Sequence, residues 1–114
     1  MNNQMSKMSD VTEKWYLLKT KARQEKRAMQ NLQRQHAECY CPEVLVEKIF
    51  RGKKSHVIEI LFPGYLFVNF RNPASSIHVA NSTRGVHGFV SFGGNPARVP
   101  SAIVRDLIEK TRLQ

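Results

Sequence analysis

The sequence predicts one α+β domain in which helices pack against an antiparallel sheet in the ferredoxin-like manner. Two observations support this fold class. The hydrophobic and turn patterns follow the order strand, helix, strand hairpin, strand, helix, strand, helix. The chain has 114 residues, of which 41% are hydrophobic, and this suits a single core. We expect residues 14–114 to form the domain and the polar, aperiodic residues 1–13 to be a disordered leader.

The first two elements have clear patterns. Residues 15–18, WYLL, form an apolar run that is long enough for a buried strand and too short for a helix. Residues 23–35 contain neither Gly nor Pro and are dominated by strong helix formers. Because Ala28 and Leu32 lie four residues apart, they predict an amphipathic helix with one narrow apolar stripe.

The middle of the chain has the pattern of extended structure. Residues 39–46 and 47–60 predict strands, and the second segment folds back on itself at residues 51–54, where a glycine supplies the turn and the tip is basic. Residues 65–70 follow a turn at residues 61–64. They are aromatic, aliphatic and β-branched, which predicts another strand.

The last third of the chain predicts a helix, a strand and a second helix. The short helix falls within residues 73–80 and is capped by Ser75 or Ser76. The strand covers residues 86–92, after which two adjacent glycines break the chain. Pro100, at a first-turn position, opens a final helix whose apolar residues repeat at helical spacing.

The charge balance indicates a polyanionic partner. Eighteen Lys and Arg residues against nine Asp and Glu residues give a formal net charge of +9, and such an excess favours nucleic acid. Solubility alone is the other explanation. No apolar run approaches the ~20 residues that span a bilayer, and the polar start has no signal-peptide pattern. We therefore expect a cytoplasmic protein that does not enter a membrane.

No residue pattern points to catalysis or to a bound cofactor. The four histidines are scattered, and none pairs with Cys, Asp or Glu at metal-ligand spacing. Cys39 and Cys41 would point to the same side of a strand. A metal or redox role is conceivable for them, but no second pair follows at zinc-site spacing, which favours buried strand cysteines. We predict that the protein is not an enzyme and uses no cofactor.

A polar stripe on the first helix indicates where nucleic acid binds. Its members follow one another at spacings of three, four and three residues, with one lysine just before them: Gln24, Arg27, Asn31 and Arg34, preceded by Lys21. Arg, Gln and Asn side chains can bind phosphates or base edges. The alternative is an ordinary solvated helix face, although Glu25 is the only acidic residue of the helix.

The strand at residues 65–70 is apolar on both faces. Alternation puts Tyr65 and Phe67 on one face and Leu66 and Val68 on the other. One face fills the core, and the second requires either a helix of the same chain or a groove on another protein. The segment also partly fits the aromatic signature of RNA recognition motifs, in which Tyr65 and Phe67 would stack on bases. This RNA-binding module is the alternative function, and a basic ribosomal-type protein is a third.

Four motifs occur in order along the chain: Trp15-Tyr16-Leu17-Leu18, Phe62-Pro63-Gly64-Tyr65-Leu66-Phe67-Val68, Thr83-Arg84-Gly85-Val86 and Phe89-Val90-Ser91-Phe92-Gly93. Together they resemble the N-terminal domain, or NGN domain, of the NusG/RfaH family of transcription factors. The resemblance covers nearly everything from Lys14 onward and is strongest to the RfaH type, through residues 45–54 and 81–86. It implies a specialised paralogue, an antitermination factor that loads on paused RNA polymerase at a DNA element and suppresses pausing and termination.

The resemblance also implies two contacts with RNA polymerase. One surface docks on the clamp helices of the largest subunit, and it would comprise Leu17, Lys19, Phe62, Pro63, Tyr65, Phe67, Val104 and Leu107. A short segment touches the gate loop of the second subunit, and it would comprise Ser76, Ile77, His78 and Val79. Part of this surface agrees with strand alternation, since Leu17 and Lys19 are two residues apart.

By the same resemblance, the non-template DNA strand contacts the helix stripe and the loop after the second helix. The residues implied are Lys21, Gln24, Arg27, Asn31, Arg34, Thr83, Arg84, Gly85 and Val86. RfaH-type proteins carry His where this chain has Asn31, and His-Thr-Thr-Thr where it has residues 76–79. We therefore expect a different DNA signal and a different gate-loop contact.

Family members continue into a second domain, the KOW domain, which recruits ribosome or termination partners. No sequence of that kind follows Gln114, so we expect the KOW domain to be absent from this chain. The docking surface would then have no intramolecular mask. We expect a monomer, and the sequence leaves a link to the ribosome open.

Overall fold

The computed structural model describes residues 15–70 and 76–111, and the predicted leader lies outside these ranges. Within them the backbone forms nine strands and three helices. The strands are β1 (Trp15–Thr20), β2 (Glu38–Tyr40), β3 (Glu43–Phe50), β4 (Lys53–Ile60), β5 (Tyr65–Asn69), β6 (Val86–Phe89), β7 (Ser91–Phe92), β8 (Asn95–Pro96) and β9 (Arg98–Val99). The helices are α1 (Glu25–Arg34), α2 (Ile77–Asn81) and α3 (Ser101–Lys110).

Strand β1 is the centre of a five-stranded antiparallel sheet. The strand order is β2-β5-β1-β6, and β9 pairs with the first residues of β1. On one edge, β5 pairs with β1 from Trp15 opposite Asn69 to Lys19 opposite Tyr65. On the other edge, β9 pairs with the beginning of β1 and β6 with its end. This order, with α1 between β1 and β2 and α2 between β5 and β6, is the predicted ferredoxin-like α+β fold, which is confirmed.

Helices α1 and α2 pack on one face of the sheet, above the larger core. The two apolar residues of the predicted α1 stripe, Ala28 and Leu32, are both completely buried. They belong to one cluster with Leu18 of β1 and with Leu66 and Val68 of β5, which the period-two alternation directs to this face. Burial stabilises the fold by roughly 1.5–3 kcal/mol for each of the larger aliphatic side chains.

Helix α3 packs on the opposite face and covers only part of it. Val104 is fully buried in a second cluster with Trp15 and Phe67. The other residues of the apolar repeat are less enclosed, and the side chains of Ile103 and Ile108 remain 51% and 38% exposed. Helical spacing therefore identified the helix correctly but overstated the width of its buried side.

Strands β3 and β4 form a hairpin outside the main sheet. Their register runs without a bulge from Glu43 opposite Ile60 to Phe50 opposite Lys53. The loop consists of Arg51 and Gly52, with φ angles of 53° and 75°, as a type I′ turn requires. The predicted division between residues 46 and 47 is wrong, because β3 continues to Phe50. At the rise of a β-strand, the hairpin tip lies about 25 Å from the base.

The strand predicted over residues 86–92 is also interrupted. It ends at Phe89, and a short hairpin of β7 and β8 begins at Ser91. The predicted chain break at Gly93 and Gly94 is the turn of this hairpin, where both residues have positive φ. Sequence patterns also missed β9, because two residues are too few to show a period.

Strand β6 contains one extra residue relative to β1. Lys19 lies opposite Gly88 and Thr20 lies opposite Val86, so His87 has no counterpart and forms a β-bulge. Because of this bulge, Val86 and Phe89 both face the α1 side, although they are three residues apart. The next residue, Val90, faces the α3 side.

Gly85 allows the loop after α2 to lie directly against α1. Its φ is +93°, and a Cβ atom at this position would lie 2.9 Å from the backbone nitrogen of Ala28. Its carbonyl oxygen accepts a hydrogen bond from the Lys21 N–H at 2.8 Å. Any side chain at Gly85 would separate the loop from the helix.

Replacing Gly85 with alanine should lower the free energy of unfolding by roughly 3 kcal/mol or more, because a backbone collision adds to the cost of a left-handed alanine. The matched control is Gly94→Ala, since Gly94 has a φ of +81° and no atom within 4 Å of the added Cβ. We expect that variant to lose about 1 kcal/mol. Urea unfolding, followed by the fluorescence of Trp15, measures both losses. Equal losses would contradict the close approach.

Candidate docking and nucleic-acid interfaces

The first candidate site is an apolar pocket on the α3 face of the sheet. Its volume is about 300 Å³, and the lining residues are Leu17, Phe62, Tyr65, Phe67 and Val90. Leu17 lies opposite Phe67 in the β1–β5 register, so the two side chains share a face. The structure thus brings together four of the residues implied for clamp docking. We call this site the apolar pocket.

A buried glutamate holds the turn that carries Phe62. Glu25, at the start of α1, is 7% exposed, and its carboxylate accepts a hydrogen bond from the Gly64 N–H at 2.8 Å. The Gly64 carbonyl oxygen accepts a second hydrogen bond, from the Thr20 N–H at 2.8 Å. Hydrogen bonds to a charged acceptor are the stronger kind. The sequence marked Glu25 only as the single acid of the helix and did not indicate this role.

Phe67 forms the floor of the apolar pocket and is only 6% exposed. Its ring centroid lies 6.2 Å from that of Tyr40 and 6.3 Å from that of Phe62. Val104 of α3 is fully buried against the sheet, so it can only support the surface from inside unless α3 moves. Both alternatives for the second apolar face of β5 therefore apply in part: a helix of the same chain helps to bury Phe67, while the pocket above it stays open.

The burial of Phe67 argues against the RNA recognition alternative. Base stacking requires an accessible ring face, and Phe67 is enclosed by Tyr40, Phe62 and the residues under α3. Tyr65 is half-buried and keeps part of its surface accessible. A platform of two stacked bases on Tyr65 and Phe67 is therefore wrong for this fold.

One residue outside the set implied for docking, Val90, also lines the apolar pocket. The Val90 N–H donates a hydrogen bond to the Leu17 carbonyl oxygen at 3.0 Å. Val90 belongs to the family motif at residues 89–93, which is the signal that could have indicated it.

The hydroxyl group of Tyr40 attaches the end of α3 to the sheet. It donates a hydrogen bond to the Leu107 carbonyl oxygen at 3.3 Å and also bonds to the Thr111 hydroxyl. The Leu107 side chain packs against the cluster that contains Phe67. Leu107 thus borders the same cluster as the pocket floor. Lys19, opposite Tyr65 in the register, is exposed beside the pocket. Pro63 is also exposed, but it lines a separate depression with Arg23 and Lys26.

The second candidate site lies on the other face, where α1 meets the loop after α2. The Asn31 side-chain amide donates a hydrogen bond to the Arg84 carbonyl oxygen at 3.1 Å, and Arg34 donates to the Asn31 amide oxygen at 3.3 Å. These contacts form a depression of about 310 Å³, lined by Asn31, Arg34, Gln35, Ser82, Thr83 and Arg84. No carboxylate is among the lining residues. We call this site the basic patch.

The residues implied for DNA contact divide into exposed and supporting members. The exposed cations are Lys21, Arg27, Arg34 and Arg84. Gln24 and Asn31 are half-buried, whereas Thr83, Gly85 and Val86 are buried. The Thr83 hydroxyl is shared between the Gln35 side chain at 3.0 Å and the Val79 carbonyl oxygen at 2.9 Å. The buried members therefore hold the loop in place, and the four cations present the charge.

The segment implied for the gate-loop contact is α2 together with its cap. The Ser76 hydroxyl accepts a hydrogen bond from the Val79 N–H at 3.1 Å, so Ser76 is the N-cap. This confirms one of the two predicted caps, and Ser75 lies outside the described residues. His78 and Val79 are exposed, while Ile77 is half-buried. Two side chains of the segment are thus accessible to a partner.

The two cysteine thiols are partly enclosed in the larger core. Burial raises the pKa of Cys39 to about 12, with a smaller contribution from the neighbouring Glu38 carboxylate. Burial also raises the pKa of Cys41. No group of three or more His, Cys, Asp or Glu side chains in the described ranges is placed to hold a metal ion.

In the same ranges, no helix is both long and apolar enough to cross a bilayer.

The fold and its two surfaces define a small α+β domain that offers an apolar pocket on one face and a cationic patch on the other. The sequence of residues 13–108 matches the family described as "Transcription termination factor nusG". The chain belongs to the NusG family. This match confirms the family resemblance, while the RfaH type within it stays a prediction.

The chain is similar to longer proteins of this family. It is 32% identical to the Transcription termination/antitermination protein NusG of Thermus thermophilus, over an alignment that includes 87% of this chain and 62% of the relative. A solved structure, "Domain interaction in Thermotoga maritima NusG", superimposes with a TM-score of 0.58 at 26% identity and covers 88% of this chain. The chain in turn covers 58% of that protein, so it spans about three fifths of the length of each relative.

The raised thiol pKa predicts slow modification of Cys39. In a Cys41→Ser variant at pH 8, the folded protein should react with a disulfide reagent roughly 1000-fold more slowly than the same protein in urea, because only the thiolate reacts. The folded protein reacts more slowly because a raised pKa keeps the Cys39 thiol protonated at pH 8. Absorbance of the released thiol measures both rates. Similar rates would show that Cys39 is accessible.

Proposed function

We propose that this chain is a transcription elongation and antitermination factor that binds RNA polymerase and the non-template DNA strand at the same time. The observation that carries the proposal is the convergence of dispersed residues on two opposite faces. Residues from β1, β5 and the turn between β4 and β5 form the apolar pocket, and residues from α1 and the loop after α2 form the basic patch. One domain can therefore hold a protein partner and a polyanion together.

The apolar pocket fits the helical partner that we propose for it, the clamp helices of the largest polymerase subunit. A hydrophobic groove can receive the apolar side chains of a partner helix, and the floor formed by Phe67 is held from behind by α3. Lys19 stands at the rim, where a cation can meet acidic groups without being buried. The exposed His78 and Val79 of α2 form a separate contact, which we assign to the gate loop.

The basic patch fits the phosphates of a displaced DNA strand. Four exposed cations can bind phosphates, which give affinity without sequence information. The Asn31 amide already bonds to the Arg84 backbone and to Arg34. A base contact from Asn31 must therefore replace existing hydrogen bonds. We infer that few base contacts provide selectivity, as expected for a factor that is recruited at selected operons.

Core RNA polymerase on a nucleic-acid scaffold with an open bubble tests the docking half of the proposal. The Phe62→Ala variant should bind about tenfold more weakly or worse, because Phe62 is 39% exposed at the pocket rim. The matched control is Leu45→Ala, since Leu45 is an exposed apolar residue of β3, away from the pocket. Phe67→Ala is unsuitable, because it would also remove a buried side chain. Wild-type protein that does not bind the polymerase would exclude the proposed function.

The DNA half is tested by the salt dependence of binding to the same scaffold. A variant with both Arg34→Ala and Arg84→Ala should bind more weakly, with a salt slope lower by about 1.4, because each lost single-strand phosphate contact removes about 0.7. Arg98→Ala, on β9 at the opposite end of β1, is the single-charge control and should leave the slope nearly unchanged. A slope that is the same in all three proteins would show that DNA does not contact the basic patch.

A further inference from the structure

The tip of the β3–β4 hairpin carries exposed apolar and basic side chains that neither surface above uses. Ile49 and Phe50 are 67% and 71% exposed, although residues of this type are usually enclosed. Arg51, Lys53 and Lys54 adjoin them in the turn and at the start of β4, and all three are exposed. The tip lies about 25 Å from the base of the hairpin, at the rise of a β-strand. We call residues 49–54 the hairpin tip.

The charges of the hairpin are distributed unevenly along its length. The carboxylates lie toward its base or middle, each close to a basic side chain: Glu43 is 2.9 Å from Lys26, Glu59 is 2.9 Å from Lys48, and Glu47 is 4.0 Å from the His56 imidazole. Among the described residues, no carboxylate forms a salt bridge with Arg51, Lys53 or Lys54. The positive charge of the tip is therefore available to an external anion.

The aromatic ring of Phe50 has one cation over its face and another on the opposite strand. The Arg51 guanidinium carbon is 5.2 Å from the ring centroid, and Lys53 is directly opposite Phe50 in the hairpin register. An exposed ring flanked by cations is the combination that binds single-stranded nucleic acid, because bases stack on the ring while the cations bind the phosphates on either side. A duplex offers phosphates but no unpaired base to stack.

We propose that the hairpin tip binds single-stranded nucleic acid, with Phe50 stacking on an unpaired base and Arg51, Lys53 and Lys54 binding the adjacent phosphates. The positive charge around the exposed Phe50 ring favours this occupant. The proposal does not require polymerase docking, and the tip is separate from the basic patch. Its failure can therefore be distinguished from failure of the proposed function.

Fluorescence anisotropy with a labelled oligothymidine tests the stacking contact, in a full chain that carries Arg34→Ala and Arg84→Ala so that the basic patch does not also bind the strand. Phe50→Ala should weaken binding about tenfold, and Phe50→Tyr should restore it because the ring is kept. The matched control is Ile49→Ala, which removes a neighbouring side chain of similar exposure on the other face of the hairpin. Binding to a duplex of equal length should be the same for Phe50→Ala and the wild type.

A second variant tests the phosphate contacts. Lys53→Ala combined with Lys54→Ala should lower the salt slope for oligothymidine by about 1.4, whereas Phe50→Ala should leave the slope unchanged. An oligouridine measured in parallel shows whether the tip prefers single-stranded RNA or single-stranded DNA. Weaker binding of Phe50→Ala to either polymer supports the proposal. Unchanged binding by Phe50→Ala, or an equal loss in Ile49→Ala, would overturn it.

Discussion

The central position of β1 is the constraint on which the rest of the structure depends: the strand is paired on both edges, and both of its faces are packed. Its backbone pairs with β5 on one side and with β6 and β9 on the other. Its side chains alternate, so Leu18 enters the larger core while Trp15 and Leu17 face α3 and the apolar pocket. A strand in this position cannot slip by one residue without exchanging the core for the docking surface.

The two candidate surfaces are joined through shared backbone contacts, although they face opposite directions. Glu25 belongs to the helix that carries the basic stripe, and its carboxylate binds the Gly64 N–H in the turn beside the apolar pocket. The Lys21 N–H, directly after β1, binds the Gly85 carbonyl oxygen in the loop of the basic patch. These two hydrogen bonds therefore link the pocket to the patch. A partner that binds one surface contacts elements that also hold the other surface in place.

Local patterns predicted most elements of the fold, because a strand or helix of sufficient length reveals its period. The α1 stripe and the alternation in β5 are clear cases, since Ala28, Leu32, Leu66 and Val68 are all fully buried as expected. What the sequence could not show depends on distant partners. Phe67 has the pattern of an exposed docking residue, yet it is buried because the cluster with Trp15 and Val104 forms there. The family motifs pointed to four of the five residues that line the pocket and to four of the six that line the patch, but not to which of them are exposed.

The bulge at His87 shifts by one residue the alternation of side chains between the two faces of β6. One unpaired residue lets Val86 and Phe89 occupy the same core, and every later position of the strand is displaced to the face that it would otherwise avoid. Val90 reaches the pocket only because of this shift. The composition of the docking face therefore depends on the number of residues in the strand as well as on their identity. Without the bulge, Phe89 rather than Val90 would face the pocket.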